Sequence, residues 1–184
     1  MGILITGIAL FIAIHLVPWH QGLRSSLIEK IGLNPYKGLY SLFALLGLVL
    51  IIFGKANAEF QHLWVPPTWG RSLTFPMMLL ALMLLVAANL PTNIKRLTRH
   101  PMLWAVFLWS VAHLSANGDV ASLILFGSFG LYALLAMLSA NKRGAVLQTK
   151  KIPLKNDLLV VAIGLFAFGG FLVLHPYLFK VAII

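Results

Sequence analysis

The sequence predicts an all-α fold: a polytopic membrane protein built as a bundle of about six transmembrane helices. The first reason is composition, because 60% of the residues are hydrophobic and only 10% are charged, whereas a soluble globular domain is roughly a quarter charged. The second is a mean hydropathy of +0.95. The third is that the apolar residues form separate runs of spanning length, which indicates lipid as the solvent of most side chains.

Six apolar runs reach the length of a transmembrane helix, which is about 20 residues. In chain order they cover roughly 2–19, 38–54, 73–91, 101–117, 119–139 and 157–178. The first run lacks a preceding positive region and a small-residue cleavage site, so it predicts a retained helix rather than a signal peptide. No connection has more than about 20 residues, which is too short for a soluble domain. We therefore expect one membrane domain over residues 1–184.

Local signals mark the boundaries of the later runs. Pro101 suits the first position of a helix, and Asn117-Gly118 is a turn signal at the end of the same run. Asp119 and Asp157 stand where the last two runs need N-cap residues. These signals define the fourth, fifth and sixth runs to within a few residues.

The basic residues lie mostly on one side of the predicted bundle. The connections after the first, third and fifth runs hold eleven of them: Arg24, Lys30, Lys37, Lys95, Arg96, Arg99, Lys142, Arg143, Lys150, Lys151 and Lys155. The other side holds three, namely Lys55, Arg71 and Lys180. Because short cytoplasmic loops are enriched in Lys and Arg, we expect both termini on the non-cytoplasmic side, with membrane lipids next to the basic loops.

Rare and absent residue types exclude several chemistries. The chain has no Cys, which excludes disulfides, thiolate ligands and iron–sulfur clusters. Its four acidic residues, Glu29, Glu59, Asp119 and Asp157, lie in connections or at run ends, so a di-iron or paired-carboxylate site has no ligands within the membrane. The net charge of +10 is not accompanied by a basic stripe with exposed aromatic residues, so we expect no nucleic-acid partner.

Histidine is the ionisable residue that remains inside the runs. Of six His residues, only His15 and His113 lie clearly within a run. An ionisable side chain in hydrocarbon is costly, and it indicates either an interhelical hydrogen bond or a metal or cofactor site. Without carboxylate or thiolate ligands, two imidazoles suit the axial positions of haem better than a zinc centre. His15 and His113 are therefore the candidate metal ligands.

Spacing separates the two His residues of the fourth run. His100 and His113 are 13 residues apart, about 20 Å along a helix and on nearly opposite faces, so they cannot share one metal ion. Trp109 lies four residues before His113 and therefore on the same face. It is a candidate cofactor contact, with packing against a neighbouring helix as the alternative.

The stretch RHPMLWAVFLWSVAHLSANGDVASLILFGSF, with IAIHLVP near the start, resembles the NnrU family of bacterial membrane proteins, and the resemblance covers essentially the whole chain. That family is named from a link to denitrification, and a related plant and cyanobacterial enzyme, 15-cis-zeta-carotene isomerase, carries haem b. The resemblance implies a bacterial inner-membrane location and a haem b cofactor, with His113 in the AHL.ANGD motif and His15 matched to the haem ligands. The isomerase has a cysteine near its second histidine, and this chain has none.

A second resemblance concerns Arg99, His100 and Pro101. This RHP element is similar to one with which membrane methyltransferases, such as isoprenylcysteine carboxyl methyltransferase, bind S-adenosylmethionine, so Arg99 and His100 are candidate cofactor-binding residues. The acidic pair that those enzymes use near the C-terminus is absent here. The alternatives are a motif of the haem-binding family and a plain helix start, with Arg and His at headgroup level.

The leading interpretation is a haem b-binding membrane protein of the NnrU type that serves redox chemistry or nitric oxide sensing linked to denitrification. One alternative is a haem-dependent cis–trans isomerase of a carotenoid-like polyene. Another is a cofactor-free scaffold that assists maturation of a respiratory reductase. The expected partners are membrane lipids and haem, with nitric oxide or a hydrophobic polyene as ligand, and the sequence leaves open whether the chain is an enzyme.

Overall fold

A computed structural model describes residues 1–179, and within them the chain forms seven α-helices and no strand. The helices are α1 (Gly2–Leu16), α2 (Gln21–Ile31), α3 (Leu33–Ala56), α4 (Gly70–Asn89), α5 (Pro101–Ala116), α6 (Val120–Lys142) and α7 (Leu154–Phe179). Short 3₁₀ helices at Val17–Trp19 and Asn93–Arg96 follow α1 and precede α5. The all-α prediction is confirmed.

Within residues 1–179, five helices are long and apolar enough to cross a membrane, which makes the chain a multi-pass membrane protein. They match five of the six predicted runs. The run predicted at 101–117 is α5, an apolar helix of 16 residues. It is shorter than the five candidate spans, the first of which runs from Gly2 to Trp19 through α1 and the 3₁₀ helix that follows it. Lys180, which entered the charge count, lies outside the described residues. The orientation of the termini and the single domain over 1–184 stay predictions.

Two features of the helices differ from the sequence-based expectation. Helix α2 was not predicted, because its 11 residues, QGLRSSLIEKI, are too few and too polar for the length criterion of a membrane span. Helix α3 begins at Leu33 rather than near 38. Pro35 does not prevent the earlier start, since it occupies the first turn, where a backbone N–H would have no helical partner anyway.

The described residues form two compact units, and the first comprises Met1–Leu63 with Asp119–Ser128. In it α1 packs along α3. A Cβ atom at Gly54 would overlap the backbone nitrogen of Leu4, and one at Gly7 would lie 2.7 Å from that of Ile51. Such close backbone approach is how helices pack where lipid supplies no hydrophobic force between them. The glycines thus position α1, which carries His15, directly against α3.

The second unit comprises 64–118 and the described residues from 129 onward. Here α4 packs against α5 and α7. Asp157 ties the connection before α5 to the start of α7, because its Oδ1 accepts hydrogen bonds from Thr92 Oγ1 at 2.5 Å and from Asn93 N at 2.8 Å. The prediction that Asp157 is an N-cap is wrong, since α7 begins three residues earlier, at Leu154.

Candidate functional site

His15 lies on the last turn of α1, in the first unit. Its Nδ1–H donates a hydrogen bond to the backbone oxygen of Phe11, with an N···O distance of 2.6 Å. The imidazole stacks on the Phe11 ring at a centroid distance of 4.1 Å and meets the Tyr40 ring of α3 at 5.4 Å. The fold therefore places this imidazole, half-buried, in an aromatic environment.

Tyr36, one turn before Tyr40 on α3, extends the same group of rings. The two tyrosine rings are 6.3 Å apart. Tyr36 is 8% exposed, and its hydroxyl has no hydrogen-bond partner in the part of the chain that the structure describes. A buried hydroxyl without a partner costs free energy. Sequence reasoning missed Tyr36, because only three-dimensional packing reveals that its hydroxyl is unpaired.

His113, on the last turn of α5 in the second unit, repeats the pattern of His15. Its Nδ1–H donates to the backbone oxygen of Trp109 at 2.8 Å. The Trp109 ring lies 5.3 Å from the imidazole and meets Phe129 edge-on at 5.7 Å. Trp109 thus packs on another helix, the alternative considered for it, and its contact with a cofactor stays a prediction. His175 of α7 lies close enough to His113 to interact with it electrostatically.

The tautomer of both imidazoles follows from these hydrogen bonds. A carbonyl oxygen only accepts, so Nδ1 carries the proton in His15 and in His113. The ring nitrogen with the lone pair is then Nε2, the atom that binds a metal ion when Nδ1 is held in this way. The two candidate ligands therefore have the same chemical form, each fixed by a carbonyl four residues earlier in its own helix.

The set of donor side chains limits which metal group the chain can hold. Among residues 1–179, no cluster of three or more His, Cys, Asp or Glu side chains could hold a metal ion. A zinc centre needs three or four protein ligands. A metal group that brings its own in-plane ligands, as haem does, needs only one or two.

Arg99 and His100 lie at the opposite end of α5 from His113. His100 is the N-cap residue and Pro101 the first helical residue, as the helix-start alternative for RHP expects. His100 Nε2 and Arg99 both contact the side-chain oxygen of Asn141, at 2.9 and 3.4 Å. The structure does not bring Arg99 or His100 to His113, which is about 20 Å away along the helix. Whether they hold a cofactor stays a prediction.

The residue Asp119 of the AHL.ANGD motif has a structural role that sequence reasoning found only in part. Its predicted N-cap role is confirmed, because Oδ1 accepts from Ser122 N at 2.9 Å. The structure adds Lys55, whose Nζ donates to Asp119 Oδ1 at 2.9 Å and to Ser122 Oγ at 2.7 Å. Burial raises the pKa of Asp119, but the hydrogen bonds from Ser122 and Lys55 outweigh it and lower the pKa below the usual value of 3.8.

The model of one protein family, described as NnrU protein, matches residues 3–183. The match covers nearly the whole chain and includes both His15 and His113. No curated protein matches the chain, and no solved structure does.

Proposed function

The chain belongs to the NnrU family, and on this premise we propose that it binds haem b, which the imidazoles of His15 and His113 would hold. The observation that carries the proposal is that the two imidazoles form the same type of hydrogen bond, each within its own helix. Each Nδ1–H donates to the backbone oxygen four residues earlier. This arrangement orients a ligating imidazole, raises its basicity and leaves the lone pair on Nε2.

The chemistry of the donor set also supports haem over a bare metal ion. The described residues offer imidazoles in apolar helices and no cluster of three metal-binding side chains. A porphyrin supplies four nitrogen ligands of its own, so one or two imidazoles complete its coordination. Bare zinc or iron would lack ligands here.

The surroundings of His15 support a bound ligand in a second way. The buried hydroxyl of Tyr36 has no partner among the described residues, and its ring belongs to the group that includes Tyr40 and His15. An acceptor on a bound group would satisfy this hydroxyl and remove the cost of leaving it unpaired.

The chemistry of haem indicates which reactions the site would support. A bound haem supplies one-electron redox chemistry and a position where nitric oxide can bind. We propose a role in redox or nitrogen-oxide metabolism in the bacterial inner membrane, in line with the denitrification link that the family's name implies. The chain's own residues would hold the group, fix its orientation through the Nδ1 hydrogen bonds and exclude water with Phe11 and Trp109.

The scaffold without a cofactor is the second candidate, and the same hydrogen bonds favour it. A backbone carbonyl that accepts from Nδ1–H already satisfies part of each imidazole within the membrane. In this case the two histidines contribute only to helix stability. Haem-dependent isomerisation of a polyene is the third candidate, and conversion of such a polyene by the reduced protein is the assay for it.

Visible spectra of the full chain, purified in detergent from haem-replete cells, separate these candidates. We expect a Soret band and sharp reduced α and β bands, with haem content measured as the pyridine haemochrome. His15→Ala and His113→Ala should each lower the haem content or convert the spectrum to the high-spin form. His20→Ala and His62→Ala, at exposed positions, are the matched controls and should leave it unchanged.

Two outcomes would contradict the proposal. A colourless preparation favours the scaffold. If His175→Ala loses the low-spin spectrum and His15→Ala does not, the second ligand is His175 and not His15. His175 lies in the same unit as His113 and interacts with it electrostatically.

A further inference from the structure

A cavity of about 410 Å³ opens beside the N-terminus of α5 in the second unit. We call it the basic cavity. Its charged and ionisable lining residues are Lys95, Arg99 and His100, and none of the described residues that line it is acidic. The volume lies within the range of about 300–1,000 Å³ that is typical of small-molecule sites. The cavity is therefore large enough for a ligand and carries one sign of charge.

Lys95 and Arg99 have N–H donors that form no hydrogen bond with the described residues. The Lys95 ammonium forms no hydrogen bond or ion pair with any described residue. The single side-chain bond of Arg99 among residues 1–179, to Asn141, has a length of 3.4 Å, which is at the weak end for a hydrogen bond. In the described part of the chain no side chain caps the N-terminus of α5, so its first N–H groups, those of Met102 and Leu103 in the cavity wall, add further donors.

The one acidic side chain in the second unit does not neutralise this charge. Asp157 is the sole Asp or Glu in that part of the sequence. Its carboxylate accepts hydrogen bonds from Thr92 Oγ1, Asn93 N and Asn93 Nδ2, and it is absent from the cavity lining. The positive field of Lys95 and Arg99 is therefore left for a ligand.

The connection between α6 and α7, which supplies Val146, Leu147 and Gln148 to the cavity wall, is held in place by hydrogen bonds. Gln148 N donates to the backbone oxygen of Lys95, and Gln148 Nε2 donates to that of Thr92, both at 3.2 Å. The side chain of Asn93 pairs with Ile152, donating to its oxygen at 2.7 Å and accepting from its nitrogen at 2.9 Å. The connection between α6 and α7 is thus fixed over the cavity, so a ligand would meet a preformed site.

We propose that the basic cavity binds a phosphate group, carried by the headgroup of an anionic phospholipid. Phosphate matches the donors, because Arg and Lys bind its oxygens through charge-assisted hydrogen bonds. Most of the other lining residues are apolar, including Met102, Leu103 and Val146, and suit the glycerol and the upper acyl chains. The cavity lies beside Ala88, near the end of α4, and its wall includes Leu147 of the connection that leads to α7. Because α4 and α7 have membrane-spanning length, we expect their ends to lie near the headgroups. The proposal does not depend on haem binding.

Isothermal titration calorimetry of the full chain in a non-ionic detergent tests it. The titrants are dihexanoyl-phosphatidylglycerol, dihexanoyl-phosphatidylcholine and inorganic phosphate. We expect saturable binding of the phosphatidylglycerol and weaker binding of the other two. Lys95→Gln/Arg99→Gln should weaken it by roughly tenfold or more, because two charge-assisted hydrogen bonds are lost. The conservative Lys95→Arg/Arg99→Lys should restore most of the affinity.

The matched control is Lys150→Gln/Lys151→Gln, which removes two positive charges from exposed positions outside the cavity. It should change the affinity less than about twofold. Equal losses in both double variants would overturn the proposal in favour of diffuse surface attraction, and absence of saturable binding by every titrant would overturn it outright. A further outcome is that inorganic phosphate binds as tightly as the lipid and loses the same affinity in Lys95→Gln/Arg99→Gln. That result would uphold phosphate as the group that the cavity binds and would overturn the phospholipid as its source. Circular dichroism confirms that each variant is folded.

Discussion

Lys55 and Asp119 form an ion pair with an Nζ–Oδ1 distance of 2.9 Å, although 64 residues separate them in the chain. Lys55 is on the last turn of α3, and Asp119 directly precedes α6. The Asp119 side chain is 8% exposed, and a buried carboxylate is tolerated only when it is paired and hydrogen-bonded. This relationship gives the Asp of the AHL.ANGD motif a structural role that does not involve a cofactor.

Asp119→Asn should destabilise the protein by about 1–3 kcal/mol at neutral pH, because Lys55 loses its charged partner. Asn still accepts the N-cap hydrogen bond, so Asp119→Ala should cost about 1 kcal/mol more. Thermal unfolding of the detergent-purified chain measures both. Glu59→Gln removes one negative charge at an exposed position and serves as the control, with an expected change within about 0.5 kcal/mol.

The contribution of Asp119 should also depend on pH. Because folding lowers its pKa below 3.8, the stabilisation is complete above that value and is lost as the pH falls through the lowered pKa. The stability difference between the wild type and Asp119→Asn should therefore be constant near neutral pH and shrink in acid. A difference that grows on acidification would contradict this assignment.

Gly118→Ala should destabilise the connection between α5 and α6. A Cβ atom at residue 118 would overlap the backbone oxygen of Trp64, and Trp64 N donates to the Gly118 oxygen at 3.1 Å. The two backbone segments must then separate, at a cost of about 1–3 kcal/mol. In Gly38→Ala, the control on α3, the added Cβ meets nothing within 4 Å, so that change should be neutral or stabilising by up to about 1 kcal/mol. Equal unfolding temperatures for both variants would show that Gly118 is not needed for the contact.

Asp157→Asn should loosen the connection between α6 and α7. An amide offers one acceptor oxygen, whereas the carboxylate of Asp157 has two that accept hydrogen bonds from Thr92 and Asn93. Trypsin should then cleave after Lys150 or Lys151 several times faster than in the wild type, because a segment that opens more often is cut more often. Thr149→Ala, at an exposed position in the same connection, should not change the rate. An unchanged rate in Asp157→Asn would mean that the other hydrogen bonds suffice.

Thr68 and Thr149 should face opposite sides of the membrane. The chain contains no Cys, so Thr68→Cys and Thr149→Cys provide single labelling sites without background. The charge distribution predicts that an impermeant maleimide added to spheroplasts labels Cys at 68 and not at 149. Labelling of 149 alone would reverse the predicted orientation. Labelling of both or of neither would show that the short helix α5 does not cross the membrane with α4 and α6.

The positions of the apolar helices could be predicted from the sequence. The run at 101–117 is the helix Pro101–Ala116, and the run at 119–139 is Val120–Lys142. Their boundaries are local, since a proline at the start and Asn-Gly at the end act on the adjacent backbone. Helix α2 was missed because a short polar helix carries no signal of lipid exposure.

The candidate site could be predicted only as a list of residues. His15 and His113 stand out because an imidazole is rare among apolar residues, but their hydrogen bonds to Phe11 and Trp109 are seen only in the structure. Tyr36 could not be identified from the sequence, since nothing around it indicates that its hydroxyl is unpaired.

Consecutive residues thus suffice to predict a helical membrane protein, its apolar segments and the histidines within them. Transfer into lipid and helix formation depend on local composition, and local composition can be read from consecutive residues. Only the tertiary structure decided that Lys55 pairs with Asp119 and that Lys95 shares a cavity with Arg99. Those relationships depend on how helices and connections pack in three dimensions. The sequence around a residue does not indicate which distant residues it contacts in the fold.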